Sequence, residues 1–243
     1  VGGLVMRMRN TKPAVILHKS QWAVTQRTGN MVQKIFLHDA GPKIQREVSL
    51  LQLSLDCNAD LWFDPADRHW VCESPYLKLH PLTAAASSEP LIDQLKAVFN
   101  RWETDRRYAA LAADDWSEHI VPQLCGLLEQ YVPGSEEAAA WLRHTRGEHF
   151  VHGDFTLSNV YLSDDRQLIV LDFENAVIGP LLWDETTLVY SFIERKQYHT
   201  ARQLFEAFSC STEMLRAVSG IRLARALRKS QSVTQRTQAH HYI

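Results

Sequence analysis

Apolar and polar positions follow two regimes along the chain. Up to about residue 75 the apolar residues come in short β-branched or aromatic runs: residues 14–18 (AVILH), 22–28 (WAVTQRT) and 31–37 (MVQKIFL) read as strands separated by turn formers. One segment breaks that pattern: in KIQREVSLLQLSL, residues 43–55, Ile44, Val48, Leu51 and Leu55 fall on one helical face. Residues 61–63 and 69–73 then form a hairpin across the DPAD turn, and WVCESPYLKLHPL leads out of it. After the small polar loop TAAASSEP the spacing becomes helical. Leu91, Leu95, Val98 and Trp102 make one stripe; Ile120, Leu124 and Tyr131 make another. Helices are predicted over 91–102, near 108–113, over 116–131 and 136–146, and again over 184–208 and 212–229, with core packing as the reason for each stripe. Residues 230–243 read as a flexible tail.

Between the helical regions lies a denser stretch, FVHGDFTLSNVYLSDDRQLIVLDFENAVIGPLLWD, starting at Phe150. Strand-like runs at 149–151, 159–162 and 168–171 place His152, Asp154, Asn159 and Asp172 at strand ends or on the loop between strands. Asp and Asn in such places also serve as turn formers, bonding the backbone two residues on. All four at this spacing point instead to a site. Phosphoryl transfer needs a carboxylate to orient a hydroxyl and Mg²⁺ to neutralise a triphosphate, the metal binding through a few oxygen ligands. Asp154 can hold the hydroxyl. Asn159 and Asp172 can supply the hard oxygens that such a cation prefers.

HGDFTLSN followed by LDFE resembles the catalytic loop and metal-binding loop of the aminoglycoside phosphotransferase and choline kinase family, relatives of the protein kinases. The resemblance implies an α+β, bilobal protein-kinase-like fold: a small β-rich N-lobe with one helix, residues 1–75, covering the nucleotide, and a larger, mainly helical C-lobe, residues 76–243, for catalysis and acceptor binding. It makes Asp154 the residue that holds the acceptor hydroxyl and His152 the residue that holds the catalytic loop. Asn159 and Asp172 become the Mg²⁺ ligands. Lys34, mid-strand among apolar neighbours, is either on the solvent face of an edge strand or reaches into a cleft; it resembles the family's lysine on the α and β phosphates of ATP or GTP, and Glu47 its orienting partner. In relatives the linker backbone bonds the adenine, which singles out Glu73, Tyr76 and Leu77. Glu174 fits a supporting or acceptor contact, and Asp184 the aspartate that buttresses the catalytic loop, with a solvated helix-start carboxylate as the alternative. The chain departs from the wider kinase pattern in its phosphate loop. HKSQWA has no glycine to bring backbone N–H groups close to phosphate, and Ser20 and Gln21 are left as the candidate contacts.

Composition narrows the classes. The chain has 243 residues, 45% hydrophobic and 22% charged, which suits a globular protein of one large domain or two small lobes. A formal net charge of -2 carries no nucleic-acid footprint. No apolar run reaches the roughly 18 residues of a membrane span. VGGLVMRMRN, without a long apolar stretch, is not expected to be a signal peptide. Cys57, Cys72, Cys125 and Cys210 stand far apart and read as reduced thiols of a cytoplasmic protein. Two charged groupings stay open. Asp114, Asp115 and Glu118 favour a helix start or a cationic substrate, and Arg222, Arg225 and Lys229 share a helical face that is solvated or meets an anionic substrate or membrane surface. VTQRT occurs at 24–28 and again at 233–237. The expected function is phosphoryl transfer to a hydroxyl of an aminoglycoside, amino alcohol or sugar. A small atypical protein or glycan kinase and an inactive nucleotide-binding regulatory module are the alternatives.

Overall fold

The computed structural model describes residues 14–20, 23–37, 41–82, 88–113 and 116–240. The chain divides into two compact units, residues 1–78 and 79–243.

The first unit is built on an antiparallel sheet. β1 (Val15–Lys19), β2 (Ala23–Thr28) and β3 (Met31–Phe36) form a meander. The chain turns between the last two at Gly29, whose φ of 63° is the left-handed conformation glycine adopts without strain. α1 (Gly41–Leu55) follows, with Pro42 in its first turn, where a missing N–H costs nothing. The helix stops at Asp56, which turns left-handed. β4 (Asp60–Asp64) and β5 (His69–Pro75) complete the sheet, in the order β1-β2-β3-β5-β4. Ile44 and Val48 of α1 pack on Phe36, Ala59 and Cys72, so the apolar stripe of the one helix covers one face of the sheet.

In the second unit, β6 (His80–Pro81) precedes α2 (Ser88–Thr104) and the short α3 (Arg106–Leu111). A π-helical turn, Trp116–Ile120, then leads into α4 (Val121–Tyr131). Pro122 accounts for that turn: it has no N–H to continue the α-ladder and its ring crowds the preceding carbonyls. α5 (Glu136–His144) is followed by three-residue strands, β7 (His149–Val151), β8 (Val160–Leu162), β9 (Leu168–Val170) and β10 (Val177–Gly179). They make two small sheets, β6-β8-β9 and β7-β10. The unit ends in α6 (Trp183–Glu194), α7 (Tyr198–Ala207) and α8 (Thr212–His240). The expected tail is therefore helical as far as His240. Residues 230–240 contain no Gly or Pro, so nothing in them breaks the helix.

Leu124, Leu128 and Leu142 pack with Trp183, Val218 and Ile221 as the core of α4, α5, α6 and α8. A second, aromatic cluster lies beside it. The Trp102 ring meets Phe150, Phe155 and Phe173 at centroid distances of 5.3, 5.5 and 6.1 Å. Leu128 is fully buried against α8, close enough to Gly220 that an added Cβ there would come within 2.8 Å of its Cδ2. Leu128→Ala opens a cavity in that contact, with an expected loss of about 2–5 kcal/mol in urea unfolding of the intact chain.

Candidate active site

β7 and β10 pair so that Val151 lies opposite Val177, and the chain leaves β7 directly into His152. The loop that follows is held from below. His152 is fully buried, its ring 4.8 Å from Phe173, and Phe155 is fully buried against Phe99 and Trp102. Gly153 has φ 79°, and a Cβ there would come 2.2 Å from the Asn175 carbonyl oxygen. No side chain fits.

Asp184, in the first turn of α6, fixes the loop's backbone. Its Oδ2 accepts the His152 N–H at 2.5 Å and its Oδ1 the Gly153 N–H at 3.1 Å. Burial pushes the Asp184 carboxyl well up, while the two N–H donors hold it down. The His152 ring acts in the same network. Its Nε2 lies 2.9 Å from the Leu171 carbonyl, and its Nδ1 accepts the Asp154 N–H at 3.3 Å. These two bonds together require the neutral ring with the proton on Nε2. Burial, which lowers the His152 pKa, keeps it neutral against the pull of the Leu171 carbonyl and the Asp154 and Asp172 carboxylates.

Asn159 binds the next position. Its Nδ2 donates to the Asp154 carbonyl at 2.8 Å and to Asp154 Oδ2 at 3.2 Å, so the amide nitrogen is engaged and Oδ1 is the atom left to ligate. The Leu171 N–H donates to the Asn159 carbonyl at 3.0 Å. Leu171 thus joins the end of β9 to both His152 and Asn159. Asp172 follows with φ 69°, a left-handed conformation that is uncommon outside glycine and clusters at functional sites. The turn 173–175 carries Glu174, whose Oε1 lies 3.5 Å from Asn175 Nδ2.

A shallow, open pocket adjoins Asp154. Trp183, Val218 and Ile221 give it apolar walls, and Thr187, Arg222 and Arg225 polar ones. Arg222 reaches Asp154 Oδ1 at 3.6 Å with one nitrogen and Glu194 Oε2 at 3.1 Å with the other. The sequence shows these arginines as a basic helical face. It contains no signal that this face is the one beside Asp154.

The first unit holds the other candidates. Lys34 Nζ lies 2.6 Å from Glu47 Oε1, with the Glu47 side chain nearly buried. Beside them the Cys72 thiol is pushed up to about 12, chiefly by burial and next by the Glu47 carboxylate. Ser20 closes the β1–β2 turn: its hydroxyl donates to the Ala23 carbonyl and accepts the Ala23 N–H. Gln21, Asp114 and Asp115 lie outside the described residues. Glu73 is inside β5, opposite Gln33 on one side and Asp60 on the other, so its backbone belongs to the sheet ladder. The Tyr76 N–H donates to the Asn30 carbonyl at 2.8 Å, and Leu77 is exposed.

The profile of the phosphotransferase enzyme family matches residues 77–221. The chain belongs to this family. Among solved structures it is similar to the GDP and kanamycin complex of APH(2")-IIia, at 14% identity over 93% of this chain and 88% of that one, with a TM-score of 0.67. It is also similar to choline kinase LicA from Streptococcus pneumoniae, at 13% identity over 89% and 84% of the two chains, TM-score 0.55. A third is the streptomycin-ATP-APH(2")-IIa ternary complex, at 18% identity over 85% and 82%, TM-score 0.55. A comparison with curated protein sequences finds no match. The relatives share the kinase-like α+β fold, with an antiparallel sheet in the N-terminal part and a mostly helical C-terminal part. Family membership makes the chain a phosphotransferase. Among the described residues no helix is long and apolar enough to cross a membrane.

Two stability predictions follow from the buried carboxyls around the loop. In Asp184→Asn the amide NH₂ must face one of the two loop N–H donors, leaving that donor unpaired; the expected cost is about 1–3 kcal/mol by urea unfolding. Glu185, its neighbour, has its pKa pushed from 4.5 to about 7, first by burial and further by the Glu103 carboxylate, with its own backbone N–H and His149 opposing. The folded chain therefore holds a proton that the unfolded chain releases above pH 4.5, and stability falls as the pH rises towards 7 and beyond. Glu185→Gln, which never ionises, is expected to be more stable than wild type by roughly 3 kcal/mol at pH 8 and equal to it at pH 4. Unfolding curves at the two pH values measure the difference.

Proposed function

We propose that this protein transfers the γ-phosphoryl group of ATP or GTP to a hydroxyl of a small molecule, in the cytoplasm. The observation that carries the reading is the Asp154 carboxylate. It stands on a loop whose backbone is bonded by Asp184, whose turn admits only Gly153, and whose far end is tied by Asn159. Such fixed placement suits a reaction in which positioning and electrostatics supply most of the rate. Asp154 accepts the proton of the acceptor hydroxyl as that oxygen forms the new P–O bond, and the nucleoside diphosphate leaves with the electrons of the bond that breaks. His152 stays neutral and holds the Asp154 N–H; it takes no proton.

Asn159 Oδ1 and the Asp172 carboxylate are hard oxygen donors of the kind Mg²⁺ takes, and that ion, when bound, neutralises triphosphate charge. Lys34, oriented by Glu47, contacts the α and β phosphates, and Tyr76 and Leu77 the base. In this reading residues 1–75 serve the nucleotide, and residues 76–243 serve catalysis and the acceptor, with Glu174 supporting. The relatives solved with GDP and kanamycin and with streptomycin and ATP support nucleotide use and a small hydroxylated acceptor.

The test is nucleotide consumption with Mg²⁺ over a panel of aminoglycosides, amino alcohols, sugars, sugar acids and proteins. Asp154→Asn should lower kcat by roughly 10²–10⁴-fold while Mg²⁺-dependent nucleotide binding, measured by calorimetry, persists. Phosphate appearing only on protein would replace the small-molecule reading. A wild-type chain that binds no nucleotide with Mg²⁺ would end it.

A further inference from the structure

Two arginines of α8 line the pocket beside Asp154. On α8, Val218, Ile221, Arg222 and Arg225 follow one another at positions i, i+3, i+4 and i+7, so one face supplies both an apolar wall and two guanidinium groups to the cavity. Arg222 is matched by Asp154 and Glu194. Arg225 makes no ion pair or side-chain hydrogen bond among the described residues. It stays charged, because arginine does so in proteins. The cavity therefore holds a guanidinium without a carboxylate of its own, next to the carboxylate proposed to take the acceptor's proton.

From this juxtaposition we infer that the acceptor is a small hydroxylated anion, carrying a carboxylate or phosphate that Arg225, with Arg222, grips while its hydroxyl meets Asp154. The inference rests on the phosphotransferase reading of Asp154 and specifies its acceptor. A guanidinium presents parallel donors that match carboxylate and phosphate oxygens two at a time. Trp183, Val218 and Ile221 leave one apolar wall for a short carbon skeleton.

Matched pairs decide the matter, with the full chain, ATP and Mg²⁺: D-gluconate against sorbitol for the carboxylate, glucose 6-phosphate against glucose and glycerol 3-phosphate against glycerol for the phosphate, with choline and kanamycin as cations. ADP formation and calorimetric binding are read for each. The anionic member of at least one pair is expected to exceed its neutral partner at least tenfold in kcat/KM. Arg225→Gln, on an exposed helical position, should raise KM for that anion at least tenfold and remove the preference, with a much smaller change in KM for ATP. Arg225→Lys should recover part of the binding. The inference is overturned if the neutral or cationic compounds are preferred throughout, if Arg225→Gln leaves the anionic preference intact, or if ATP binds but no anion is bound or consumed. In each of those cases the phosphotransferase reading stands. If ATP with Mg²⁺ does not bind at all, that reading falls, and this one with it.

Discussion

The bonds from both Asp184 oxygens to the amides of His152 and Gly153 are the constraint on which the site depends. A backbone leaving a three-residue strand has no ladder to hold it, and its N–H groups would be costly to bury unpaired. One carboxyl from the first turn of α6 satisfies two of them. Its position explains the neighbouring choices. Gly153 can take φ 79° and let the Asn175 carbonyl approach. The neutral His152 ring can join the Asp154 amide to the end of β9 at Leu171. Asp154 is then a carboxylate held by its own main chain, with little freedom left to lose when an acceptor binds.

Much of this was legible before any coordinates. That His152, Asp154 and Asn159 come together could be read because they are local: they follow one another over a short stretch, and hydrogen bonds join them. The Lys34–Glu47 contact could be read because a strand lysine and a helix glutamate thirteen residues apart belong to adjacent elements of one small unit. Helices over 91–102 and 116–131 showed in their stripes to within a few residues. The π-turn before Pro122, by contrast, has no apolar period of its own.

What was not legible depends on tertiary context. β6 and β10 are two and three residues long, too short to show a period. That the Ser20 hydroxyl closes the β1–β2 turn on Ala23 has no signal in the sequence. Glu73 looks like linker, yet a strand on each side holds its backbone. VTQRT makes the point most directly: at 24–28 it is strand and at 233–237 it is helix. The same five letters obey their surroundings, here a two-sided ladder and there an uninterrupted helix. Arg222 and Arg225 belong to this group, since a basic face has no meaning until its neighbour is known. The overall charge of -2 likewise says nothing of two arginines gathered beside Asp154.

One helix, α8, carries core and cavity positions interleaved along its length. Ala217, Val218, Ile221 and Ala224 are buried, while Arg222 and Arg225 are partly or largely open to solvent. Substitution at the two arginines alters the charge beside Asp154 and leaves the packed residues in place. The charge beside Asp154 can therefore diverge between descendants by one or two codons, through intermediates that still fold.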